Sequence, residues 1–480
     1  MCKRLVLAVA ALCVALAAES KVRLSHLVGD NMVLQQNSEA RLWGWDDPGK
    51  EIKVTVSWAK TVYKTTADKD GKWLVSVATP AASYTPLSIT FDDGEKTTIG
   101  NILSGEVWVC AGQSNMEMPM AGYDNCPTEG YNAEMVNARQ YQGIHFCTLP
   151  MSRSAKPKDD ANCKWRVVAP NTIGMLSAVG YFFAQNVNRA LDIPVGLIVA
   201  VKGGSRVEAW LDYDNLKAHT DEPLDENGMK QRYGTKYNWK WPLVWGNATF
   251  HPILNYTVKG ILYYQGCSNV EIGAQHYAER LKLLVEQWRR DFGLGEIPFY
   301  ITQITPYIYG GSRNGDLRGR LVEQQMKAAK TIPNAGIVCT QDLVYSWEGW
   351  QIHPAQKRQV GERLAYQALN KQYGLTSIQC ESPEYERLTI SSDTCYIQLR
   401  NMYKGFSLLP NCDLKGFEVA GEDRVFHPAK ARAKGKNIVW MTCPEVKKPV
   451  AVRYCFRNWQ TGNVYNTAML PLSPFRTDDW

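Results

Sequence analysis

A serine that directly follows an apolar run, with an asparagine beside it, is a place where a nucleophile can stand. Residues 106–116 read Glu-Val-Trp-Val-Cys-Ala-Gly-Gln-Ser-Asn-Met, a β-type run that stops at Gly112-Gln113 and presents Ser114. At the carboxyl end of a sheet strand such a hydroxyl lies beside the N–H groups of the following turn, where α/β enzymes keep their chemistry. An isolated Ser-Asn more often caps a helix. Three further segments share the position, however. Gly203-Gly204-Ser205 follows the apolar run 195–201, Gln265-Gly266-Cys267-Ser268-Asn269 follows the run 259–264, and His353, in Gln351-Ile352-His353-Pro354, lies beyond the run 335–340. Carboxyl ends of parallel strands open on one edge of a sheet, so segments far apart in the chain can converge there.

These residue types fit one chemistry, attack of a hydroxyl on a carbonyl. A serine hydroxyl is a weak nucleophile until a base takes its proton, and His353 can do so near neutral pH. The oxyanion that forms needs aimed donors; the N–H of Ser114, the N–H of a glycine where the backbone must approach closely and the side-chain amide of Asn269 form a set. Gln113, Gln265 and Arg206 are candidate substrate-binding groups, Arg206 as a clamp for a carboxylate. Gly112-Gln113-Ser114-Asn115-Met116 lacks the second glycine of the Gly-x-Ser-x-Gly elbow, which counts against an α/β-hydrolase lipase. No Cys-x-x-Cys or His-x-x-x-His spacing suggests a metal site.

The elements that must position these residues follow from patterning. Residues 21–99 carry short alternating runs (40–45, 51–56, 73–77 and 87–91) separated by Asp-Pro-Gly, Asp-Gly-Lys and Asp-Asp-Gly turns, the pattern of a small β-sandwich. Residues 100–375 alternate strand and helix. Strands are predicted at 107–110, 195–201, 259–264, 298–304 and 335–340. Tyr277, Leu281, Leu284, Trp288 and Phe292 share one helical face, as do Val360, Leu364, Ala368 and Leu369. That alternation implies a three-layer α/β domain with a parallel sheet. Residues 376–480 return to short strands at 395–399, 437–441 and 450–456, a second β-domain.

Residues 1–20 have the form of an export signal: Lys3 and Arg4, an apolar core over 5–16, then Ala15-Leu16-Ala17-Ala18. A secreted or periplasmic protein is expected, lysosomal or extracellular in a eukaryote. No stretch reaches the roughly 18 apolar residues of a membrane span. Net charge is +7, or +5 without Lys3 and Arg4, and is scattered, which gives no reason to expect nucleic acid as a partner. Of thirteen cysteines, eleven lie beyond the signal, an odd number. Cys380, Cys395, Cys412, Cys443 and Cys455 fall in the last hundred residues, where one or two disulfides are expected. Sixteen Trp and twenty-four Tyr supply surfaces suited either to sugar rings or to a β-rich core.

Taken together, these blocks resemble the sialate O-acetylesterases, a branch of the SGNH hydrolases, over nearly the whole mature chain. Asn31-Met32-Val33-Leu34-Gln35-Gln36 and Leu42-Trp43-Gly44-Trp45 look like the opening β-domain of that family, and Gly105-Glu106-Val107-Trp108 with Gly112 to Met116 like its nucleophile block. Gly203-Gly204-Ser205 with Glu208-Ala209-Trp210, and Ile352-His353-Pro354 with Lys357, Gly361 and Arg363-Leu364-Ala365, look like its glycine and histidine blocks. The resemblance implies a flavodoxin-like SGNH hydrolase sheet flanked by β-sandwich-like domains, with Ser114 as nucleophile, His353 as base, Gly204 and Asn269 as oxyanion donors, and no metal or organic cofactor. The expected partner is an acetylated sugar or glycan.

Two positions depart from the family. Its third block reads Trp-Tyr-Gln-Gly-Glu-Ser-Asn where this chain has Tyr263-Tyr264-Gln265-Gly266-Cys267-Ser268-Asn269, and the aspartate usual three residues before the histidine is here Trp350. The nearest acids are Glu348 and Asp342. Either Glu348 orients His353, or a backbone carbonyl does and a Ser-His dyad works alone. Deacetylation of sialic acid is the first expectation, acetylxylan or another acetylated glycan the second, and a glycan-binding pseudoenzyme the third.

Overall fold

The computed structural model describes residues 21–480. The export signal expected over residues 1–20 lies outside the described residues.

The nucleophile block belongs to the longest strand of the protein, β1 (Lys96–Gly112), 17 residues. The central sheet adds β2 (Ile144–Thr148), β3 (Trp165–Val167), β4 (Val195–Val201), β5 (Gly260–Tyr264), β6 (Phe299–Thr302) and β7 (Ala335–Val338), in the order β3-β2-β4-β1-β5-β6-β7. All neighbours from β2 to β7 are parallel, and β3 is antiparallel at the edge. Side chains of β1 alternate between two cores. Val107, Val109 and Ala111 point to one, with Leu281, Trp288 and Leu321; Trp108 and Cys110 point to the other, with Phe182, Phe183, Val360 and Leu364. Helices α2 (Ala178–Leu191) and α5 (Arg358–Lys371) therefore cover one face, while α3 (Tyr277–Phe292) and α4 (Leu317–Thr331) cover the other. The result is a parallel α/β sheet between two helical layers.

The boundary read between residues 99 and 100 falls within β1. Its first half pairs antiparallel with Ser83–Asp92 and parallel with Val33–Gln35 of the N-terminal β-region, and its second half forms the centre of the α/β sheet. Leu42, Val54 and Ile89 accordingly share one core with Val107 and Trp288. Beyond α5, two four-stranded antiparallel sheets enclose a separate core around Ile397, Val439, Val452 and Tyr454.

The expected disulfides are not formed. All eleven cysteines of the described residues are free thiols, ten of them buried. Cys395, Cys443 and Cys455 fill the C-terminal core as small apolar side chains do. No helix among the described residues is long and apolar enough to cross a membrane.

Trp108 anchors β1 from behind the site. It is fully buried, packs edge-on against Phe183 at 5.1 Å, stacks on Tyr300 at 5.9 Å, and donates from Nε1 to the Tyr373 hydroxyl at 3.0 Å. Trp108→Ala should cost about 3–5 kcal/mol of stability, read as a lower midpoint in urea unfolding. A change within about 0.5 kcal/mol would show that this side chain does not hold the central strand.

Candidate active site

Three of the four blocks start from one rung. Gly112 at the end of β1 is level with Val201 at the end of β4 and with Tyr264 at the end of β5. The chain must turn at once, and Gly112 does so at φ +130°, where an added Cβ would lie 2.3 Å from the Tyr264 carbonyl oxygen. Ser114 then opens the single-turn helix α1 (Ser114–Glu117), half-buried, with its N–H in the first turn and without an intrahelical acceptor. The loop after β4 comes against it: a side chain on Gly203 would touch the Ser114 Cβ at 3.4 Å. The Gly203 N–H is held by the Glu117 carboxylate. Gly204 follows at φ +76°, beneath the Trp239 indole, with no acceptor for its N–H among the described residues.

His353 arrives from the β7–α5 connection and is half-buried. Tyr123 touches both Ser114 and His353, donating from its hydroxyl to the Ser114 carbonyl at 3.2 Å and setting its ring edge-on to the imidazole at 5.2 Å. Asn115 adds a second link, from Nδ2 to the Ile352 carbonyl at 3.0 Å. Burial, reinforced by the nearby Lys357 charge, lowers the His353 pKa to about 4. Its Nδ1 faces the Cys126 sulfur at 4.0 Å, and no carboxylate hydrogen-bonds the ring among the described residues.

Both acids of this segment are engaged elsewhere. Glu348 accepts from the Tyr345 N–H at 2.7 Å and the Ala355 N–H at 2.9 Å, so it braces the loop around His353 through the backbone rather than through the imidazole. Asp342 forms a two-pronged pair with Arg363 at 2.8 and 2.7 Å.

Four other residues singled out from the sequence turn inward. Arg206 is fully buried: it donates to Glu222 at 2.8 Å, to the Tyr233 hydroxyl at 2.9 Å and to the Lys240 carbonyl, and lies 3.4 Å from Glu208. Its charge is neutralised inside the protein, so it offers no clamp to a substrate carboxylate. Asn269 accepts from the Val207 N–H and from Gln265 at its Oδ1, while Nδ2 donates to Glu208 at 3.1 Å; Glu208 in turn pairs with Arg280. Gln265 also bonds Ser205 and Tyr277, and Gln113 accepts from the Gly266 N–H at 3.0 Å. These amides tie the three loops together, and the one that the sequence reading assigned to the oxyanion is directed at Glu208.

Sequence reasoning missed Tyr123, Glu117 and Trp239, which lie in a loop or in single-turn helices too short to give a periodic signal. It found Lys357 only as part of a block. Nothing in a lysine three residues after a proline announces that it is buried.

The arrangement offers a hydroxyl, a neutral imidazole and two N–H groups at one sheet edge, the parts of an acyl-transfer site. The family described as carbohydrate esterase, sialic acid-specific acetylesterase, matches residues 104–370, more than half of the chain. The chain belongs to that family. Its relatives include the sialate O-acetylesterase of Pongo abelii, 25% identical over 94% of this chain and 92% of the relative. That of Homo sapiens is 26% identical over 77% of this chain and 74% of the relative. Among solved structures, a carbohydrate acetylesterase from Xanthomonas citri is similar with a TM-score of 0.84 and 30% identity, covering 96% of this chain and all of that one. The protein is thus a member of a carbohydrate acetylesterase family, with the family's α/β sheet and flanking β-regions.

An NMR titration should show the His353 imidazole gaining its proton near pH 4, instead of the ordinary 6.5. In the unfolded chain the same group protonates first, so folding stability should fall as pH drops from about 6.5 to about 4. Glu348→Gln should leave that titration in place, because the carboxylate holds backbone and not the ring. A His353 pKa near 7 in the native protein that drops on Glu348→Gln would instead place the acid on the histidine.

Proposed function

We propose that this protein removes acetyl groups from acetylated sugars by a serine acyl-enzyme mechanism. The observation that carries this reading is that Tyr123 bridges Ser114 and His353, with the Gly203-Gly204 loop against Ser114, at the edge where three strands end level. Neutral His353 takes the Ser114 proton as Oγ attacks the acetyl carbonyl. The oxyanion is stabilised by the N–H groups of Ser114 and Gly204. His353 then returns the proton to the departing sugar oxygen, and water, activated by the same imidazole, releases acetate from Ser114. Among the described residues no carboxylate meets the imidazole, so the pair works as a dyad, and in serine hydrolases that lack of an acid costs up to about 10⁴ in turnover.

The names of the relatives make O-acetylated sialic acid the first substrate to test. A second reading is favoured by one observation: with Arg206 buried, no cation is held for a sialate carboxylate there, whereas aromatic faces are available. Trp347 and Trp350, 75% and 65% exposed, flank Glu348 in the turn that leads to His353, and Trp347 stacks on Tyr345 at 4.6 Å. Such faces suit the apolar side of a neutral pyranose, and an acetylated neutral glycan is the second class to test. The export signal read over residues 1–20 supports action outside the cytoplasm, where such glycans are met.

Acetate release from a chromogenic acetate ester, from O-acetylated sialic acids and from acetyl-xylan should be measured for the wild type and Ser114→Ala. Loss of at least about 10³ in Ser114→Ala, with Ser114 labelled by a serine-directed phosphonate, supports the reading. Full activity in Ser114→Ala would overturn the mechanism, and no hydrolysis by the wild type would leave a glycan-binding protein. Trp347→Ala should raise KM for a glycan acetate and leave that for the small chromogenic ester unchanged.

A further inference from the structure

His353 stands between two carbonyls that are both tied to the residue after Ser114. Asn115 Nδ2 donates to the Ile352 carbonyl at 3.0 Å, and Asn115 Oδ1 accepts from Lys357 Nζ at 2.8 Å. The same Nζ donates to the Pro354 carbonyl at 2.7 Å. Asn115 and Lys357 are both buried. Three hydrogen bonds thus fix the peptide on each side of the histidine to the nucleophile turn, and none of them uses the imidazole or the serine hydroxyl.

Lys357 makes no ion pair among the described residues. The groups that face it are Glu348, Cys267, Cys126 and His353; Glu348 holds backbone N–H groups, and Cys267 lies beside Tyr309 and, at 4.0 Å, Asn115 Nδ2. An uncharged amine has two N–H groups, and the site offers two oxygen acceptors. An ammonium would bring a third N–H and a full charge to a place where no carboxylate meets it, a costly arrangement in a buried site. Burial accordingly lowers its pKa to about 7, against the opposing pull of Glu348, Cys267 and Cys126. The family's glutamate at position 267 would stand beside this amine; the cysteine here leaves it unneutralised.

We infer that Lys357 is a positioning residue: with Asn115 it forms a strut that sets the distance between the Ser114 turn and the His353 segment, where no carboxylate among the described residues orients the imidazole, and it works as the uncharged amine. This rests on the esterase reading for its catalytic consequence only. The strut itself is a feature of the fold. Since a misplacement of about 1 Å can cost about 10² in rate, its loss should lower kcat and leave substrate binding nearly intact.

The test uses the full chain. Wild type, Lys357→Met, Asn115→Ala, the double variant and Cys267→Glu are compared in hydrolysis of a chromogenic acetate ester from pH 5 to 9, with hydrogen exchange of the 351–356 amides as a readout independent of activity. Each single variant should lose about 30- to 100-fold in kcat with KM within about threefold. The double variant should be no worse than the weaker single, and exchange at 351–356 should quicken in all three. Wild-type kcat should fall as pH drops through about 7. That inflection should vanish in Lys357→Met, and also in Cys267→Glu, where a carboxylate neutralises the ammonium. Additive losses, wild-type kcat in a folded Lys357→Met, or an unchanged inflection in that variant would overturn the proposal. If Lys357→Met fails to fold, Asn115→Ala and Cys267→Glu decide it on the same readouts. A wild type that hydrolyses no acetyl ester overturns the esterase reading, and unchanged exchange in the variants overturns the strut.

Discussion

The level ending of the three central strands is the constraint from which the site follows. Val201, Gly112 and Tyr264 share one rung, and the close approach of the Gly112 backbone to the Tyr264 carbonyl admits no side chain. Because β1 stops there and turns without a detour, Ser114 emerges beside the Gly203-Gly204 loop. The same strand runs back into the N-terminal β-region, so the rung is braced by a core that continues well beyond the α/β layers. Parallel strands are slow to pair but rigid once covered on both faces, which suits a site whose parts must be held within a fraction of an ångström.

The acids around the site are all engaged away from the histidine. Glu117 holds Gly203, Glu348 braces the loop around His353, Asp342 pairs with Arg363, and Glu208 and Glu222 neutralise Arg206. Each of these carboxylates supports another part of the structure, and none among the described residues meets the imidazole. A histidine without that support is a weaker base. Its orientation then depends on packing against Tyr123 and on the peptide carbonyls that Asn115 and Lys357 hold.

Much of this was legible in the sequence, and the exceptions have physical causes. The strand Val195–Val201 and the helix Tyr277–Phe292 were read to their ends, because an unbroken apolar run and a clear apolar stripe leave little ambiguity. Helix α2 (Ala178–Leu191) is not among the helical faces read from the sequence, although its apolar periodicity is at least as strong as that of α5. The site blocks were found by residue type and order. What sequence could not give was direction. Arg206 and Asn269 look like substrate contacts until Glu222, Glu208 and Gln265 are seen to claim them. The buried state of Lys357 was hidden for the same reason, since burial belongs to the packed neighbours and not to the residue.

A Ser114–His353 dyad served by backbone donors can be seen in the structure of the wild-type protein carrying an acetyl-like phosphonate. Phosphorus should be bonded to Ser114 Oγ, with the phosphoryl oxygen within about 3 Å of the Ser114 and Gly204 N–H groups. The Asn269 amide should still rest on Glu208, and no carboxylate should stand at His353 Nδ1. Phosphorus on a different serine, or an aspartate or glutamate moved onto the imidazole in the adduct, would contradict the dyad.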